Sequence, residues 1–64
     1  MKNLIKELRE EKKLNATAFA KKIGISRQSL FAIEKSKAVP KLETLMAIAK
    51  ELNCPLEKLA KEYK

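Results

Sequence analysis

Residues 15–34 read N-A-T-A-F-A-K-K-I-G-I-S-R-Q-S-L-F-A-I-E, and this stretch decides the fold. It divides into two short helices around one tight turn. The Asn15 side chain can accept from a free backbone N–H one turn on, so a helix is expected to start behind it. Within Ala16 to Ile23, the residues Phe19, Ala20 and Ile23 fall on one apolar face. Gly24, the one glycine of the chain, follows where a helix closes on a left-handed residue. Ser26 is a second capping residue, and the helix behind it, Arg27 to Glu34, carries Leu30 and Ile33 three apart. Between cap and core lie the polar side chains of Arg27, Gln28 and Ser29, crowded into one turn. They can point outward at a partner while Leu30 and Ile33 hold the helix to the body.

A helix anchored behind and polar in front is what the major groove of DNA requires. At these residues the sequence resembles the helix-turn-helix DNA-binding domains of phage repressors and their bacterial relatives, the Cro/C1-type or XRE family. The resemblance runs from Leu4 to Leu59. It is carried by I-K-E-L-R-E-E-K at 5–12, A-x-x-I-G-I-S-R-Q-S-L at 20–30 and I-E-K-S-K-A-V-P at 33–40. L-x-x-L-x-x-I-A-K-x-L at 42–52 and C-P-L-E-K-L at 54–59 complete it. Each motif is a short helical pattern, and their order and spacing together give the specificity. The resemblance implies an all-α fold, a compact five-helix domain over 1–64 with the helix-turn-helix formed by helices 2 and 3. It further implies a transcriptional regulator, a repressor by expectation, that binds double-stranded DNA at a palindromic operator as a homodimer.

Within that frame each polar residue takes an expected role. Arg27 can pair two donors with O6 and N7 of guanine, and Gln28 can make a matching pair with adenine. Outside the frame they are a solvated helical turn. Ser29 either bonds a phosphate or base edge or completes the cap. Phe31 and Ala32 lie on the side that the resemblance turns towards the groove. Phe31 either meets a thymine methyl there or folds back on helix 2 or on a partner subunit, and the sequence leaves these open. Lys35, Lys37 and Lys41 flank helix 3 in a loop that follows the sugar-phosphate backbone in the family, so phosphate contacts are expected. Asn15 and the free N–H groups opening helix 2 add another. Arg9 and Glu34 read as surface charges from the sequence alone, whereas the resemblance implies a buried structural ion pair. The chain departs from the family at Ala16, where many relatives carry a phosphate-contacting glutamine, and at Ser36, where they carry glycine. A left-handed residue at 36 is therefore expected to be strained or absent.

Composition fits this reading. Fifteen Lys and Arg against eight Asp and Glu give a formal net charge of +7, which favours polyanionic partners. The hydrophobic fraction is 45% with 5% aromatic residues, so the core must be built from Leu, Ile and Ala, as helices prefer. With no histidine and a single cysteine, Cys54, neither a zinc site nor an internal disulfide is expected. There is no glycine-rich phosphate loop and no evident pair of carboxylates in a pocket. An enzyme, a cofactor and a small-molecule ligand are accordingly not expected. No apolar run approaches the roughly 20 residues of a membrane span, and no signal-peptide layout opens the chain, so cytoplasmic residence is the expectation.

The remaining elements follow from periodicity. Helix 1 is expected over about Lys2 to Lys12, with Leu4 and Leu8 as its apolar stripe and Ile5 beside them. Helix 4 is expected over Leu42 to Leu52, turning Leu42, Leu45, Ile48, Ala49 and Leu52 inward. Asn53 is its left-handed stop, and Pro55 takes the first position of helix 5. Leu56, Leu59 and Tyr63 are expected to complete the inward face of helix 5. Met46, Cys54, Ala60 and Tyr63 offer apolar area beyond what the core requires, and either form the expected dimer surface or cap the core of a monomer. The alternative readings are a protein-interaction module, antitoxin- or antirepressor-like, using Phe31 and Met46, or a helical scaffold without a ligand.

Overall fold

Four helices end on a left-handed residue, and only one of the four is glycine: Lys13 (φ 57°), Gly24 (φ 82°), Ser36 (φ 59°) and Asn53 (φ 53°). The computed structural model describes residues 3–63. It contains α1 (Leu4–Glu11), α2 (Ala16–Ile23), α3 (Arg27–Glu34), α4 (Leu42–Leu52) and α5 (Leu56–Ala60), then a 3-10 turn, Lys61–Tyr63. The architecture is all-α, with no strand among the described residues. The part of helix 1 expected at Lys2 lies outside them.

The four exits share one hydrogen-bond pattern. The left-handed residue donates its N–H three residues back, and the next residue donates five back. At α1 these bonds are Lys13 to Glu10 (2.9 Å) and Leu14 to Arg9 (3.0 Å), and at α3 they are Ser36 to Ile33 (3.1 Å) and Lys37 to Ala32 (2.9 Å). Gly24 and Ile25 close α2 in the same way, as Asn53 and Cys54 close α4. This is the Schellman arrangement, which satisfies carbonyls that the helix leaves free. Ser36 therefore does adopt the left-handed conformation that its side chain disfavours, because the paired bonds and the packing behind them hold it there. A left-handed residue other than glycine costs roughly 1–2 kcal/mol, partly offset by the greater freedom of glycine in the unfolded chain. Ser36→Gly and Lys13→Gly are each expected to stabilise the protein by about 1 kcal/mol in urea denaturation. A Ser36→Gly protein no more stable than its parent would refute this account.

Side-chain caps open the first three helices. Asn3 Oδ1 accepts from the Lys6 N–H at 3.1 Å, Asn15 Oδ1 from Ala18 at 3.1 Å, and Ser26 Oγ from Ser29 at 3.0 Å. Lys41 precedes α4 without a side-chain cap, and Glu43 in the first turn offsets this through the helix dipole. Pro55 caps α5 and does not enter it, one residue from the expected position.

The helices enclose a core of Ile5, Phe19, Ala20, Ile23, Leu30, Ile33, Leu45, Ile48, Ala49, Leu52 and Leu59. α1 packs on α3 and α4, α2 packs on α3 and α4, and α5 packs on α4. Two expectations need correction. In α1 the fully buried residue is Ile5, while Leu4 and Leu8 flank it half-buried. In α4 Leu42 points outward, 64% exposed. The buried face of α4 centres on Leu45, Ile48, Ala49 and Leu52, and Leu42 stands about 70° from that centre, in a first turn with no helix above it.

The first and last of the described residues meet at one carbonyl. Ile33 O, at the exit of α3, accepts from Asn3 Nδ2 at 2.6 Å and from the Tyr63 hydroxyl at 2.9 Å. Glu62 accepts from the Leu4 N–H beside them. Tyr63 is thus engaged within the fold, as expected for the helix 5 face, and Cys54 and Ala60 also pack partly on the core. Burial pushes the Tyr63 hydroxyl from its ordinary 10.0 up to about 12, against the lowering effect of the Asn3 hydrogen bond and with help from the Glu62 and Glu34 charges. Because the folded value is the higher one, this contribution to stability is complete below pH 10 and is lost as pH rises through about 12. The chain has one tyrosine and no tryptophan, so tyrosinate absorbance reports this group alone. Titration near 12 is expected, together with a shallower alkaline loss of stability in Tyr63→Phe. Titration at the ordinary value would show that the hydroxyl is not held.

Candidate nucleic-acid interface

Leu30, Ile33 and Glu34 seat α3 on the body, at 0%, 4% and 2% exposure. The opposite face of the helix begins with Arg27, Gln28 and Ser29, all exposed, followed by the half-buried Phe31 and Ala32. α3 has no acidic residue in its first turn, so nothing there repels an anion. The Schellman closure at Gly24 sets α3 against α2, and the Ser26 cap fixes where it begins. Eight residues span about 12 Å, the width of a DNA major groove.

Glu34 takes part in a buried ion pair. Arg9 Nε lies 2.6 Å from Glu34 Oε2, and Nη2 lies 3.2 Å from Oε1, a two-pronged contact. The third prong, Nη1, donates to Leu14 O at 2.8 Å in the connection to α2. Its hydrogen bond to Glu34 raises the pKa of Arg9 above the ordinary value, burial opposes this, and the Glu34 and Glu10 charges add to it. One guanidinium thereby ties α1, the α1–α2 connection and the end of α3 together.

Each sequence-derived candidate has a definite place. Asn15 is exposed, with Oδ1 committed to its cap. Ser29 completes the α3 cap: its N–H donates to Ser26 Oγ, and the two hydroxyls lie 3.0 Å apart. The Arg27 guanidinium lies over the Phe31 ring, 5.4 Å from its centroid, so Phe31 is engaged within α3 itself. Lys35, Lys37 and Lys41 are exposed along the segment that leaves α3. An open groove of about 480 Å³ lies between the turn, α3 and the start of α4, with Ser29, Ala32 and, of the three lysines, Lys41 on its walls. Met46 alone of the four expected dimer residues is largely exposed, at 53%, and Val39 and Leu42 stand near it in sequence at 73% and 64%.

Two participants escape the sequence. Thr17 accepts from Arg27 at 3.5 Å, and Asn3 joins a cap to the end of α3. The capping preference of asparagine one residue before an apolar helix was the available signal for Asn3; for Thr17 there was none. Among the described residues, no group of His, Cys, Asp or Glu could hold a metal ion, and no helix is long and apolar enough to cross a membrane.

Residues 5–59 match the family model described as Helix-turn-helix, and the chain belongs to this family. It is 42% identical over 89% of its length to an uncharacterized HTH-type transcriptional regulator of Methanocaldococcus jannaschii, 86% of which is covered. It is 36% identical over 91% of its length to the cryptic phage CTXphi transcriptional repressor RstR of Vibrio cholerae, and 43% identical over 88% to the ImmF control region 10 kDa protein of Bacillus phage phi105. It spans only 52% and 62% of those two relatives. No solved structure matches the chain at a significant level. Two of these relatives are named as transcriptional regulators, and DNA-binding regulation of transcription is the function that the family and these relatives support.

Proposed function

We propose that this protein is a cytoplasmic transcriptional repressor that occupies a palindromic operator as a homodimer, one α3 helix in each of two successive major grooves. The observation that carries the reading is the division of α3 into a buried side, Leu30, Ile33 and Glu34, and an outward polar turn, Arg27, Gln28 and Ser29. Arg27 and Gln28 read base edges, with Ser29, Phe31 and Ala32 alongside. Asn15, Lys35, Lys37 and Lys41 hold phosphates and set the register without reading sequence. A relative named as a phage transcriptional repressor supports repression as the outcome.

Two recognition helices are needed because one reads too few base pairs to find a site among a genome's competitors. The dimer surface is drawn from Met46 with Leu42 and Val39, the large apolar residues that the fold leaves most exposed. Three such side chains offer little area, well under that of a usual interface, so pairing is weak in solution and tightens on DNA. Sedimentation with and without a palindromic duplex checks this. A monomer bound one-to-one at a half-site would refute it.

Selection of bound duplexes from a random pool tests the function directly, because it returns motif and half-site spacing together. About six phosphate contacts per dimer predict a slope near −0.9 per contact in log K against log salt. Absence of binding even at low salt would remove the reading. At the selected site, Arg27→Ala and Gln28→Ala are each expected to cost about 1–3 kcal/mol and relax base preference locally. Lys37→Ala should weaken all sequences alike and reduce the salt slope by about one. If the three variants behaved identically across sequences, the division into readers and anchors would be wrong.

A further inference from the structure

Thr17, Arg27 and Phe31 form an assembly that the helix-turn-helix scaffold does not require. The Arg27 guanidinium lies 5.4 Å from the Phe31 ring centroid, and its Nη1 donates to Thr17 Oγ1 at 3.5 Å. Residues 27 and 31 are one turn apart on α3, so their side chains are neighbours, and Thr17 reaches them from the first turn of α2. Phe31 is half-buried, and neither the core nor the apolar residues packed against it include this ring. One of the chain's two phenylalanines is therefore spent beside the side chain best suited to guanine.

We propose that Arg27 and Phe31 read a two-base unit, a guanine together with the thymine stacked next to it on the same strand, and that Thr17 is the positioning residue for Arg27. The proposal rests on α3 entering the major groove. A guanidinium fork on O6 and N7 lies in the plane of the guanine. The neighbouring base lies about 3.4 Å along the axis, and thymine projects its C5 methyl into the groove there. The phenyl ring, one helical turn beyond Arg27 and against its guanidinium, stands at the level of that neighbour and offers the methyl an apolar surface. Cytosine has no methyl at this position, and 5-methylcytosine restores it. Preference at the second base thus follows the methyl group, and it depends on the ring.

The test uses the full chain and a duplex recovered by selection. Each thymine beside a guanine of the site is replaced singly by deoxyuridine, which deletes only the methyl. At one position per half-site, wild-type binding is expected to weaken about fourfold, the worth of one buried methyl. The same replacement leaves Phe31→Ala unaffected, and 5-methylcytosine binds wild type more tightly than cytosine there. Thr17→Ala, which leaves both readers in place, is expected to lower affinity for the guanine-containing site more than for a site with that guanine replaced. The wild-type measurement decides the methyl contact even where a variant folds poorly. Indifference of wild type to every such replacement, or a motif with no thymine beside its guanine, overturns the two-base unit and leaves α3 as the reading helix. A pool that returns no motif overturns both.

Discussion

Glu34→Ala is expected to destabilise the protein by about 3–5 kcal/mol, because it leaves the Arg9 guanidinium buried without its carboxylate. Arg9 is 8% exposed and Glu34 is 2% exposed, so water cannot replace the missing partner without opening the core. A domain of this size has a total margin of roughly 3–5 kcal/mol, so the variant should be largely unfolded at room temperature. Arg9→Ala is expected to do the same, and also to strip a donor from Leu14 O. Replacing both residues with apolar side chains of similar volume should cost far less than either single change, because no charge is then stranded. Circular dichroism in urea decides it. Single variants that lose less than about 1 kcal/mol would mean that the pair is solvated in the working protein.

Leu30→Ala is expected to cost about 2–5 kcal/mol. Leu30 is fully buried between α3 and the body of the domain, and its side chain is worth roughly 1.5–3 kcal/mol in burial alone. The cavity left behind adds to that loss, since α3 is already fixed by the Ser26 cap and the α2 closure and cannot settle inward. DNA binding should fall in step with folding, unlike the Arg27 and Gln28 variants, which leave the melt unchanged. A Leu30→Ala protein with parental stability would show that α3 is seated by something other than this side chain.

Much of the fold could be read in advance because its signals are local. Asn15, Ser26, Gly24 and Asn53 each act on backbone within one turn of themselves, so their residue type alone announces a helix end. Ser36 and Lys13 give no such signal: the bonds that hold them left-handed come from neighbouring backbone, and any side chain can stand there at a cost. Leu42 misled because a helical period continues through the first turn whether or not another helix covers it. At the candidate interface, the exposure of Arg27 and Gln28 could be expected from their place behind a cap. The role of Glu34 could not be read from residue type, since a glutamate on a helix is ordinarily solvated, and only the resemblance linked it to Arg9. Tyr63 could be placed on the helix 5 face by its period, but its hydrogen bond could not be read, because it reaches Ile33, 30 residues away.

That bond sets the order in which the protein can be completed during synthesis. Asn3 and then α3 leave the ribosome before Tyr63, yet the carbonyl ending α3 gains its second donor from Tyr63, 60 residues after Asn3. A nascent chain halted before Glu62 carries its helices but not the hydroxyl and carboxylate that fasten α1 to the end of α3. The helix α3 is thus made before the residues that fasten its end. A chain cut before Glu62 is therefore expected to hold the end of α3 less firmly than one that carries Tyr63.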